Sequence, residues 1–148
     1  EAGIKLLTGF EGLRLSAYDD HGSLAIGFGH SNRSGRSPVV TNSLTITKEQ
    51  AEKILADDLE AEYTPKVRKQ LKANVTQAQF DALVSFGYNV STKTLNGLMA
   101  KINAKDFDGA KAYMLAAVPP IGHKAHDGLV RRRKAEIAHF DGKPLSKW

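Results

Sequence analysis

The stretch Gly9–Ser31, GFEGLRLSAYDDHGSLAIGFGHS, limits the folds open to this chain more than any other. Leu13 and Leu15 alternate with Arg14 and Ser16, and Leu24, Ile26 and Phe28 alternate with Ala25, Gly27 and Gly29. A period of two is the pattern of a strand with one face buried. Gly22 breaks the alternation in an Asp-Asp-His-Gly run that suits a turn. Glycine at 27 and 29 leaves one strand face bare, as close backbone contact or a bound ligand requires. A small antiparallel hairpin early in the chain is therefore expected.

The flanking segments have helical periodicity. Residues 1–12 carry Ile4, Leu7 and Phe10 on one short face, with Gly12 as a stop after Glu11. Thr47 with Gln50, and Thr76 with Gln79, are capping-box pairs. The first opens a helix read over 47–62, interrupted at Tyr63-Thr64-Pro65. From Pro65 to Phe140 the chain reads as short helices, one starting on an Asp106 cap and stopping at Pro119-Pro120. Asn42–Ile46 reads as a short strand or turn. The expected class is α+β, with 148 residues and 41% hydrophobic residues sufficient for one domain with a real core.

Several chemistries are unsupported. Cysteine is absent, which removes disulfides and thiolate metal sites. His123 and His126 are three apart, but no histidine pair forms a metal motif. No glycine-rich run ends in a phosphate-binding lysine, and GFGH is too short for a dinucleotide fingerprint. No apolar run approaches the roughly 18 residues of a membrane span, and no signal peptide is visible. The net charge of +5 suits an anionic polymer, yet no nucleic-acid module is present. The expectation is a monomer without metal, cofactor or nucleic-acid partner.

Glu11, beside Phe10 at a helix end, is the candidate general acid, because a helix C-terminus disfavours a negative charge and suits a carboxyl that must carry a proton. Asp19 and Asp20 are candidates for a second carboxylate on a sheet across a groove, the arrangement that glycosidic bond cleavage uses. In Arg131-Arg132-Arg133-Lys134, successive side chains point about 100° apart on a helix, so some must face inward.

Phe10-Glu11-Gly12, Leu13, Tyr18-x-Asp20, Gly22 and Ile26-Gly27-Phe28-Gly29-His30 together resemble the active-site region of the phage-type lysozymes. The likeness continues through residues 45–59, 75–90 and 128–136. It implies a small N-terminal α/β lobe (about 13–46, with a long spine helix over 47–62) and a larger helical lobe (1–12 and 63–148), with a sugar groove between them. It implies cleavage of the β-1,4 bond between N-acetylmuramic acid and N-acetylglucosamine in bacterial peptidoglycan, with action on the bacterial cell wall. Glu11 falls on the family's general acid, and Asp20 on the aspartate that assists an incoming water for inversion. His30 falls on a histidine that pairs with the spine helix at Asp58, and Arg132 is the arginine expected near Glu11. His21, Ser23, Gly29, Ser85 and Asn89 are expected to line or support the sugar site.

Two departures stand out. The tyrosine spacing selects Asp20, whereas Asp19-x-x-Gly22 keeps the glycine spacing and selects Asp19. Ala25 occupies a position that is usually threonine, so the family's hydroxyl for holding water is missing. His21 or Ser23 could replace it. The alternatives are a lytic transglycosylase, which needs no incoming water, and a catalytically weak wall-binding module. The basic loop 31–41 is expected to tune substrate access or wall affinity.

Overall fold

The computed structural model describes residues 1–145. Helix α1 (Ala2–Thr8) buries Leu6 and Leu7 and ends at Gly9. Phe10 and Glu11 follow in a turn held by their backbone N–H groups on Leu7 O, so Glu11 lies just beyond the last helical turn. The chain then forms strands β1 (Arg14–Asp20), β2 (Ser23–Gly27) and β3 (His30–Ser31), an antiparallel sheet in chain order.

Both aspartates belong to β1, and Asp20 is paired directly with Ser23. The two-residue turn between them has φ 50° at His21 and 86° at Gly22. Positive φ at both positions matches the right-handed twist of the strands it joins. Residues 42–46 pair with β1 through a Ser16–Thr45 bridge and an Ile46 N–H bond to Leu15 O. Gly27, at φ 68°, lies where a Cβ would come within 3.4 Å of Ala51, so the sheet approaches the next helix closely.

Helix α2 (Lys48–Asp58) starts on the expected capping box, with Gln50 N–H on Thr47 Oγ1 and Thr47 N–H on Gln50 Oε1. The helical rod does not stop at Tyr63-Thr64-Pro65. A π-helical turn over Leu59–Tyr63 leads directly into α3 (Thr64–Gln70), with Asp58, Tyr63 and Thr64 all in right-handed helical conformation. Proline is tolerated in the first turn of a helix because that turn has no use for its missing N–H. The π turn precedes α3 directly, so Pro65 falls in the first turn of a new helical segment.

The remaining helices are α4 (Gln77–Asn89), α5 (Thr92–Asn103), α6 (Phe107–Ala116) and α7 (His126–Phe140). Thr76 and Gln79 close the second capping box on α4, and Asp106 caps α6 through Gly109 N–H. One connected apolar core runs from Phe28 and Ala51 beneath the sheet through Leu83 and Phe86 of α4 to Met99, Ile102, Met114 and Phe140. Helix α4 is the centre of this arrangement, with every residue from Ala82 to Gly87 buried.

Candidate active site

Glu11 is held by the last helix. Arg132 of α7 donates through its NH1 group to Glu11 Oε1 at 2.5 Å, across 121 residues of sequence. The Arg132 side chain is 3% exposed and that of Glu11 is 22% exposed, so the carboxyl reaches the surface only in part. Of the four consecutive cations, Arg132 and Arg133 are buried while Arg131 and Lys134 are exposed.

Two buried arginines require compensation, because an unpaired buried charge is expensive. Glu136, one helical turn later and fully buried, supplies it. One carboxylate oxygen accepts from Arg132 Nε at 3.0 Å and from Ser85 Oγ at 2.7 Å; the other accepts from Arg133 NH1 at 2.6 Å. Arg132 also donates to Ser85 O, and Arg133 to Asn89 Oδ1. Burial alone would push the Arg132 guanidinium down, but Glu136 and Glu11 outweigh it and hold it above its ordinary value. Glu136 is a residue that sequence reasoning missed. The i+3 and i+4 spacing to two arginines was the available signal.

Glu11 acts electrostatically on three tyrosines. Burial raises Tyr18, Tyr63 and Tyr88 above the ordinary phenol value, and Glu11 adds to the shift in each. These residues come from β1, the π turn and α4, so the charge of Glu11 acts on the sheet, the rod and the bundle alike. Tyr63 and Tyr88 have ring centroids 4.7 Å apart, and Tyr88 OH donates to Phe28 O at 2.8 Å, tying α4 to the residue after β2.

Strand register separates the two aspartates. Alternate residues share a sheet face, so Tyr18 and Asp20 lie together and Asp19 points the other way. Asp20 is the second contributor, after burial, to the raised Tyr18 hydroxyl. The Asp19 carboxylate accepts from Gly22 N–H at 3.3 Å and is spent on the turn. Arg33 holds the Asp20 end of the hairpin, donating to Asp20 O at 2.7 Å and His21 O at 2.6 Å, with its NH1 group 3.7 Å from Asp20 Oδ2.

His30 and Asp58 meet as a buried pair, Nδ1 to Oδ2 at 2.8 Å, and His30 Nε2 lies 2.8 Å from Pro38 O. Arg36 donates to Asp58 Oδ1 at 3.2 Å and to Glu62 Oε2 at 3.0 Å. This cluster joins β3, the loop after it and the rod. Of the loop arginines, Arg36 is therefore committed to internal ion pairs, while Arg33 brackets the hairpin end with about half of its side chain exposed.

Among the expected sugar-site residues, Gly29, His21 and Asn89 are exposed and Ser23 is partly so, whereas Ser85 is fully buried. The Ser85 hydroxyl is committed to Glu136, which makes it a support of the arginine network rather than a surface contact. His123 accepts from Ala125 N–H, and His126 Nδ1 lies 2.7 Å from Pro119 O, so both order the loop before α7. Among the described residues no group of three or more histidine, aspartate or glutamate side chains could hold a metal ion.

Residues 8–136 match the family model described as phage lysozyme. The chain belongs to the phage lysozyme family. It is 41% identical over 145 residues to an endolysin of Bacillus phage B103, a match that covers 95% of this chain and 52% of that relative. The chain thus spans about half that relative's length. An endolysin structure from Escherichia coli O157:H7 phage FAHEc1 superimposes with a TM-score of 0.78 at 33% identity, over 98% of this chain and 95% of that one. The muramidase domain of SpmX from Asticaccaulis excentricus gives 0.81 at 28% identity, over 95% of each chain. The α+β fold, a three-stranded sheet with seven α-helices among the described residues, is the phage lysozyme fold.

Proposed function

We propose that this member of the phage lysozyme family is a muramidase that hydrolyses the β-1,4 bond between N-acetylmuramic acid and N-acetylglucosamine in peptidoglycan, acting on the bacterial cell wall. The observation that carries this reading is the partly buried Glu11 carboxyl, fixed by the buried Arg132 of the last helix. Glu11 gives its proton to the leaving glycosidic oxygen. Negative charge then develops on its carboxylate, and a guanidinium already in place stabilises it without reorganisation. Asp20 takes a proton from a water that attacks the opposite face of the sugar, which inverts the anomeric carbon. His30 and Asp58 hold the sheet against the rod, and His21, Gly29 and Asn89 contact the glycan. All the residues proposed for the chemistry come from one chain, so a monomer suffices. The proposed organisation is one domain of two lobes, the sheet with its rod and the helical bundle, with the glycan between them.

A lytic transglycosylase on the same bond is the second reading, and Ala25 favours it: the side chain is fully buried and offers no hydroxyl to a water. One digestion separates the two. Purified peptidoglycan is treated with the wild type and with Glu11→Gln, and soluble fragments are read by mass spectrometry. Reducing-end muropeptides from the wild type, lowered by about 100- to 10,000-fold in the variant, are expected for general acid catalysis. Anhydro ends, lighter by one water, establish the transglycosylase, and no soluble product from the wild type defeats both.

A further inference from the structure

The sheet face that carries Asp20 also holds a pair of hydroxyls, Ser23 opposite Asp20 and Ser31 on the next strand. Direct partners in an antiparallel ladder share a face. Asp20 is paired with Ser23, Tyr18 with Ala25, and Ala25 with Ser31. Tyr18, Asp20, Ser23, Ala25 and Ser31 therefore form one surface, with Ala25 as the only apolar member. Ser23 Oγ and Ser31 Oγ are 3.1 Å apart, diagonal neighbours on that surface. Ser31 also lines a cavity of about 210 Å³ together with Tyr63 and Tyr88.

The hydrogen-bond inventory of this pair is incomplete. Two serines carry two hydroxyl protons, and their mutual bond uses one. Ser31 Oγ accepts from Arg33 N–H at 3.2 Å, which uses one lone pair. One O–H donor and two lone pairs remain uncommitted among the protein contacts: one lone pair on each oxygen when Ser31 donates the mutual bond, both on Ser23 when Ser23 donates it. A partly buried polar pair with spare capacity next to a carboxylate has the partners that an ordered water needs.

We propose that Ser23 and Ser31 act as a unit that positions the nucleophilic water against Asp20, and that Ser31 is the residue that makes up for alanine at position 25. This deepens the muramidase reading and rests on it. The water donates one hydrogen to the Asp20 carboxylate and the other to a serine oxygen, leaving a lone pair for the anomeric carbon. The bond from water oxygen to that carbon forms as the glycosidic C–O bond breaks. The proton of Glu11 goes to the leaving oxygen and a water proton goes to Asp20. Both serines keep their own hydrogens, so they are positioning residues and not bases.

The test exchanges two side chains across one ladder pair. Ser31→Ala removes the hydroxyl, and Ala25→Ser in the Ser31→Ala background returns it on the adjacent strand with side-chain volume conserved. Initial rates of muropeptide release from purified peptidoglycan are measured for the wild type and both variants. The expected result is a 10- to 100-fold fall in kcat for Ser31→Ala with KM within about twofold, and recovery of most of that loss in the exchanged protein. A serine with only a structural role would not be rescued from a neighbouring strand. A kcat within about twofold of wild type in Ser31→Ala overturns the proposal, as does a loss that the exchange fails to restore. With reducing-end products from the wild type, either result leaves the muramidase reading standing. Anhydro products, or no soluble product from the wild type, remove that reading and this one with it.

Discussion

Replacing Glu136 with alanine is the most informative perturbation of stability in this protein. In the folded chain the Glu136 carboxylate lies between Arg132 and Arg133, all three buried, while Glu11, on the far side of Arg132, reaches solvent in part. Glu136→Ala removes the buried counter-charge shared by the two guanidinium groups and the acceptor of three hydrogen bonds, from Ser85, Arg132 and Arg133. Breaking a buried ion pair by deleting one partner costs about 3–5 kcal/mol. At about 2–4 °C per kcal/mol for a chain of this size, Tm should fall by about 6–20 °C. Glu136→Gln keeps the volume and one acceptor, and should lose less, about 1.5–3 kcal/mol. Urea unfolding followed by circular dichroism, extrapolated linearly to water, gives both values. A loss below about 1 kcal/mol in Glu136→Ala, with an unchanged m-value, would refute the reasoning, since it would mean that the two guanidinium groups find water without their carboxylate.

Tyr88→Phe deletes the hydroxyl that donates to Phe28 O and joins α4 to the sheet. A loss of about 1 kcal/mol is expected, read as a lower urea midpoint. Glu62 is held below the ordinary glutamate value, first by the hydrogen bond from Lys66 and then, against the opposing effect of burial, by Arg36. Its folded value is the lower one, so its contribution is complete above the unfolded value and is lost as pH falls through the folded one. Melting curves of Glu62→Gln should therefore show a shallower decline of Tm on acidification than the wild type, and an unchanged slope would contradict the assignment.

Much of the local structure could be read directly from the chain. Thr47 with Gln50, Thr76 with Gln79 and Asp106 mark helix starts, and each makes the cap that its spacing implies. His21-Gly22 forms the turn that its composition suggests. These features depend on residues within about four positions of one another, where geometry follows from local chemistry. Pro65 is the exception. Its local signal points to a helix end, but the π turn before it and the packing of Leu59 and Val67 in the core carry the rod onward.

The sequence by itself determined the helices, the hairpin and the short list of acids from which a glycosidase site can be built. The tertiary structure decided which of them meet. Arg132, rather than its identical neighbours, reaches Glu11 because the packing of α7 against α4 turns that one side chain toward the site, 121 residues away in sequence. Tyr18 and Asp20 share a face with Ala25 and Ser23 because the register of β1 with β2 sets those residues opposite one another. Glu136 matters only because two arginines lose their water when the last helix docks. Burial and long-range pairing are properties of the packed chain, and no local window of sequence contains the partner that a buried charge will find.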